Sequence, residues 1–201
     1  MTTILHIASS SNLHNSVSRE IGAVAVAGLK EANAGAKIIT RDLVQNPVPH
    51  IAPAFVDVLY TKPDAPELAL SRALVAEIVA SDIVVIEAPM YNFNIPSVLK
   101  AWIDHVVRSG LTFKYGAGGV EGLLKGKKAV LVLGRGGMYT EGPMKAMDYQ
   151  ETYLRAVLGF VGITDVEAIV IEGVGMGAEK RAEALAKARA KIAAITSRRA
   201  A

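Results

Sequence analysis

Short apolar runs alternate with longer amphipathic stretches along the whole chain. Ile4 to Ala8 is a strand-length apolar run, followed by a Ser/Asn-rich loop through Asn15. Val17 to Ala32 then carries Ile21, Val24, Val26 and Leu29 at helical spacing. Lys37 to Arg41 predicts a second strand, and Asp42 to Pro66, with Pro47, Pro49, Pro53 and Pro63, a long loop. A helix is predicted over Leu68 to Ala80. A strand follows at Ile83-Val84-Val85-Ile86, then a helix from Ser97 to Val107 and a glycine-rich loop from Ser109 to Gly126. Ala129 to Leu133 predicts the fourth strand, Tyr149 to Phe160 a helix, Val166 to Ile171 the fifth strand, and Glu179 to Ile195 a final helix.

This alternation predicts an α/β fold, one doubly wound domain with a five-stranded parallel sheet. Right-handed crossovers leave few topologies, and the strand order 2-1-3-4-5 suits this length. At 201 residues the chain fits one domain spanning 1–201. Although 51% of it is hydrophobic, the apolar runs are of strand length, so no membrane span is expected. Met1-Thr2-Thr3-Ile4 enters a strand directly, without a basic leader, and a cytoplasmic location follows. There is no cysteine, hence no disulfide or thiolate chemistry. The net charge of +3 comes with a basic excess gathered in the last helix and tail. That is too diffuse for a nucleic-acid footprint.

The sharpest signal is the loop after the third strand, Pro89-Met90-Tyr91-Asn92-Phe93-Asn94-Ile95-Pro96. Loops at this position are normally polar, yet this one mixes Met, Tyr and Phe with amides, a surface for a flat heteroaromatic ligand. After the first strand, Ser9-Ser10-Ser11-Asn12 leads to Ser16-Val17-Ser18 at a helix start, where free N–H groups and the helix dipole favour an anion. By itself this stretch is equally a polar turn with an N-cap. The dinucleotide and Walker A glycine patterns are absent, so a terminal monophosphate fits better than a pyrophosphate. After the fourth strand, Gly134-Arg135-Gly136-Gly137 allows close backbone approach, or is an ordinary glycine turn. Phosphate donors, an aromatic/amide loop and a glycine loop at one sheet edge together match FMN.

The chain resembles the FMN-dependent NADH azoreductases, also called FMN-dependent NADH:quinone oxidoreductases. The resemblance rests on Pro89 to Ile95, on Arg108-Ser109-Gly110-Leu111-Thr112-Phe113-Lys114-Tyr115, on Gly134 to Gly137, and on Leu158 to Asp165. It implies a flavodoxin-like three-layer sandwich and a homodimer with one non-covalent FMN per subunit near the interface. NADH or NADPH reduces the flavin and leaves, and a quinone or azo compound takes its place. By position, Ser10, Ser16, Val17 and Ser18 hold the phosphate; Met90, Tyr91, Asn92 and Phe93 line the ring; Gly134, Arg135, Gly136 and Gly137 close its polar edge. Tyr115 and Phe160 are carried over as substrate-binding. One departure stands out: Gly134 replaces the family's usual Ser or Thr, removing one hydrogen bond of about 1 kcal/mol.

The flavin carries the chemistry, so no catalytic side chain is expected. No nucleophile elbow accompanies the serines, and His6, His14, His50 and His105 lack metal-ligand spacing. The other reading is a flavodoxin-type electron carrier, but such carriers steer by strong acidity and this chain is basic.

Overall fold

The computed structural model describes residues 1–198; residues 199–201, the end of the expected domain and of its basic tail, lie outside them. The chain runs β1 (Thr3–Ala8), α1 (Val17–Glu31), β2 (Lys37–Asp42), α2 (Pro53–Val58), α3 (Ala69–Ala80), β3 (Ile83–Pro89) and α4 (Ser97–Val106). It continues with β4 (Phe113–Gly116), β5 (Gly119–Gly122), β6 (Lys128–Gly134), α5 (Tyr149–Phe160), β7 (Asp165–Ile171) and α6 (Ala178–Ser197). Five parallel strands form a sheet in the order β2-β1-β3-β6-β7. Counting only these strands, this is the expected 2-1-3-4-5.

The central strands β1, β3 and β6 are covered on both faces, which is why they read as apolar runs, while the edge strand β2 is not. Side chains alternate with the pleat. Leu5, Ile7, Val84, Ile86, Leu131 and Leu133 join a core with α3, α4 and α5, centred on Trp102. Ile4, Val85, Val130, Val132 and Ile169 face the other way, against Ile21, Ala25 and Leu29 of α1 and Ile192 and Ile195 of α6. Each such side chain removed from water contributes about 1.5–3 kcal/mol. The sequence therefore folds as a flavodoxin-like sandwich with helices on both faces.

Two segments expected to be loops are not. Within 109–126, β4 and β5 form an antiparallel hairpin outside the main sheet. Its strands are four residues each and three of the eight positions are glycine, too little periodicity to register in the sequence. A Cβ on Gly122 would lie 2.2 Å from the Gly162 nitrogen, so the hairpin sits directly on the turn between α5 and β7. In the proline-rich segment, Pro53 opens the short α2, whose Phe55 is buried, and Pro66 opens a 3₁₀ turn ahead of α3. Proline at a first helical position has a favourable fixed φ and no N–H to leave unpaired.

Sheet order reverses at β1. The chain leaves β1 for one face and β3 for the other, so a crevice opens at their carboxyl ends, where ligands bind in open α/β sheets.

Candidate functional site

The first wall is the loop between β1 and α1. Ser9 is buried and its hydroxyl donates to the Glu87 carbonyl at 2.8 Å, tying β1 to β3. Asn12 folds the loop by accepting at Oδ1 from the N–H groups of His14 and Asn15 at 3.1 and 2.9 Å. Ser16 caps α1 by accepting from the Arg19 N–H at 3.3 Å, and its hydroxyl lies 3.0 Å from that of Ser18. Among the described residues, no acceptor engages the N–H groups of Ser16, Val17 and Ser18. The helix dipole adds positive potential at the same place.

The second wall is the turn Tyr91-Asn92-Phe93-Asn94. Tyr91 and Asn94 exchange both backbone hydrogen bonds, at 2.9 and 3.1 Å, while Asn92 and Phe93 take φ of 47° and 72°. Two successive left-handed residues make a type I′ turn. Asparagine accepts that conformation readily; for phenylalanine it stores about 1–2 kcal/mol of strain. The turn is pinned by Met90 N–H donating to Gly134 O at 2.7 Å and by Tyr149 N–H donating to Phe93 O at 3.1 Å. Its rings stay available, Tyr91 being 39% and Phe93 36% exposed. The Tyr91 hydroxyl accepts from the Ser11 N–H at 3.1 Å, so the first two walls touch.

The third wall is the loop after β6. Gly136 and Gly137 give their carbonyls to Gly175 and Gly173 of the loop after β7, at 2.9 Å each, while their own N–H groups meet no acceptor among the described residues. Glu172 braces the same loop, accepting from the N–H groups of Tyr139 and Thr140 at 2.8 and 3.1 Å and from the Thr140 hydroxyl. Burial pulls the Glu172 carboxyl upward, but these bonds outweigh it and it ionises below its ordinary range.

Two residues of this wall differ from expectation. Arg135 does not face the crevice: its N–H donates to Ile171 O at 2.8 Å, and its buried side chain reaches Gln150 Oε1 at 3.1 Å and Asp148 Oδ2 at 2.8 Å. The guanidinium finds its counter-charges inside the protein, beside Asp148 and Glu151 at the start of α5. At Gly134 a Cβ would point at the α1 start, 3.1 Å from Val17 Cγ2 and 3.5 Å from Ser18 Cβ. A Ser or Thr side chain would leave the backbone there toward the start of α1.

Tyr115 and Phe160 are brought to each other, and not to the crevice of their own chain. Phe113 joins them, its ring centroid 5.5 Å from Tyr115 and 4.7 Å from Phe160. Phe160 ends α5, whose first residue meets Phe93. Twelve helical residues at about 1.5 Å each separate them by roughly 18 Å. The strand and helix order did carry a signal for this: a helix that crosses over between parallel strands ends at the amino edge of the sheet, opposite the crevice.

A buried charged group behind the first wall was also unforeseen. Arg19 pairs with Asp42 at 2.7 and 3.0 Å and lies 4.0 Å from the carboxylate of Glu87, which is 1% exposed and 3.2 Å from His6 Nε2. The hydrogen bond from Arg19 outweighs burial and holds the Asp42 pKa at about 2. Glu87 was legible in principle, as the one acid inside the apolar run of β3. His6 and His105 are structural: the His105 Nε2 meets the Pro49 carbonyl at 3.0 Å, and Phe55 packs edge-on against its ring. Among the described residues no three His, Asp or Glu are grouped to hold a metal ion, and no helix is long and apolar enough to cross a membrane. An apolar cavity of about 20 Å³ beside Trp102 has no part in this site; it offers no polar group and little room.

Known proteins share this arrangement. The family model described as "Flavodoxin-like fold" matches residues 2–195. The FMN-dependent NADH:quinone oxidoreductase of Hyphomonas neptunium is 48% identical over 97% of this chain and 96% of its own length. That of Azotobacter vinelandii is 45% identical over 97% of this chain and all of its own. Among solved structures, an FMN-dependent NADH-azoreductase from Bacillus anthracis in complex with FMN superposes with a TM-score of 0.89 at 25% identity, covering all of both chains. An azoreductase from the Sterne strain of that species gives 0.90 at 28%, over 98% of this chain and all of its own. The chain belongs to the flavodoxin-like family, within its group of FMN-dependent NADH:quinone oxidoreductases.

Proposed function

We propose that this protein is an FMN-dependent NADH oxidoreductase that reduces quinones to hydroquinones and cleaves aromatic azo compounds to amines, using one FMN-binding domain over residues 1–201. One observation carries the reading. Three loops at a single sheet edge present unengaged N–H groups around an exposed aromatic turn, and the residues present fit FMN. The N–H groups of Ser16 to Ser18 and the Ser10, Ser16 and Ser18 hydroxyls suit a phosphate dianion. Met90, Tyr91, Asn92 and Phe93 suit one face and edge of the ring, with the strained turn leaving the Asn92 and Phe93 N–H groups unengaged. Gly136 and Gly137 offer donors for the ring's polar edge, and Gly134 and Arg135 hold those glycines in place.

FMN supplies the electron-pair chemistry when bound; the chain binds, orients and excludes water. Donors fixed in advance at the ring edge stabilise negative charge there without reorganisation. Donor and acceptor using one open face in succession makes the kinetics ping-pong. Tyr115 and Phe160 lie too far from the crevice of their own chain to cover that face. A second copy would bring its own pair over it, so the active form is a homodimer. The experiment is direct: the purified protein is yellow and oxidises NADH with menadione or methyl red as acceptor. Yellow protein without turnover would instead indicate an electron carrier.

A further inference from the structure

The Ser10–Ser11 peptide is gripped from both sides. In a trans peptide the carbonyl and the following N–H point in opposite directions. The Ser10 carbonyl accepts two hydrogen bonds from Arg19, from Nε at 3.0 Å and Nη2 at 2.7 Å. The Ser11 N–H, on the far side, donates to the Tyr91 hydroxyl. Arg19 is itself fixed by the Asp42 carboxylate at the end of β2. Asp42 is in turn held by the N–H groups of Val44 and Gln45 at 3.0 and 3.2 Å and the Gln45 side-chain amide at 3.0 Å. A continuous run of bonds therefore leads from β2 through Arg19 to the first loop, and on to the aromatic turn.

We propose that Arg19, oriented by Asp42, is a positioning residue that sets the Ser10–Ser11 peptide and so makes the first loop selective for a phosphorylated flavin over the same ring without phosphate. The proposal rests on the reading that this loop takes the FMN phosphate. Its physical basis is the guanidinium fork. Nε, Nη1 and Nη2 lie in one plane, and that plane reaches the carbonyl and the carboxylate together. An ammonium is a point charge and cannot hold both in this geometry.

A competing account gives Arg19 no such role and lets its positive charge merely attract the phosphate. The two differ in sign at Asp42. Removing that carboxylate takes a negative charge away from a bound dianion, which tightens FMN if charge is all that matters. It loosens FMN if Asp42 holds Arg19 in place. Arg19→Lys separates them again, since it keeps the charge and loses the fork.

The test measures FMN and riboflavin dissociation constants for the parent, Asp42→Asn and Arg19→Lys, together with amide hydrogen exchange at Ser11 in the flavin-free proteins. Both variants are expected to weaken FMN by at least about tenfold, to change riboflavin by less than about twofold, and to speed exchange at Ser11. Asp42→Asn binding FMN as tightly as the parent or more so, Arg19→Lys keeping full affinity, or unchanged Ser11 exchange would each overturn the proposal. So would an equal loss of riboflavin, which marks general damage to the site. A parent protein that takes up no FMN overturns the functional reading itself; a parent that binds with unaffected variants overturns the positioning role alone.

Discussion

Phe93 holds a backbone conformation that runs against its own preference. Its φ of 72° belongs to glycine or asparagine, and it follows Asn92, which suits the same region. Phe93→Gly creates Asn-Gly, the pair that type I′ turns favour most. It should raise the stability of the flavin-free protein by about 1 kcal/mol in urea unfolding while weakening FMN, because the ring's partner is gone. A loss of stability would show that Phe93 is not strained. Asp42 gives a second prediction. Its pKa of about 2 lies below the ordinary 3.8 because the folded state favours the charged form. The stabilisation, about 2 kcal/mol, is complete above roughly pH 4 and disappears as pH falls toward 2. Asp42→Asn should flatten the pH dependence of urea unfolding over that window; a parallel curve would contradict the pairing.

The elements were legible wherever one rule of burial governed them. β1, β3 and β6 are covered on both faces, so each appeared as an apolar run; the ends of β1 and β6 moved by at most one residue, and β3 runs three residues past Ile86. The β4–β5 hairpin escaped because Gly122 serves close approach to the α5–β7 turn, and three glycines in eight positions leave no alternation to read. The site's loops were legible by composition, Met-Tyr-Asn-Phe above all, since exposed aromatics in a loop have no packing reason. Arg135 came with the glycines through the family resemblance, and only tertiary structure shows that its side chain turns inward to Asp148 and Glu151. Gly22 marks a packing constraint at this level. A Cβ there would come 1.9 Å from Glu87 Oε2 and 3.2 Å from Glu87 Cβ, so α1 lies flush on β3. Gly22→Ala should cost at least about 2 kcal/mol in urea unfolding and loosen the loop that α1 begins. Full stability would mean that α1 is free to shift.

Across the whole molecule, the crevice and the residues expected to bind substrate lie at opposite ends of the sheet. The crevice lies at the carboxyl ends of the strands, and the Tyr115–Phe113–Phe160 cluster at the opposite edge, with Tyr115 73% exposed and Leu111 and Val120 exposed beside it. An apolar cluster of this kind calls for a partner surface, and a second copy would satisfy both requirements at once. Light scattering should find a dimer. Phe160→Asp should shift it toward monomer and reduce menadione turnover by at least about tenfold with FMN content retained. A monomeric parent with full activity would remove the second copy from the account. The flavin assignment itself is tested by the absorbance spectrum of the purified protein beside that of the Tyr91→Ala/Asn92→Ala double variant. The parent should carry one FMN per chain and the folded variant none; a variant with full flavin content would place the ring somewhere other than the Met90–Phe93 turn.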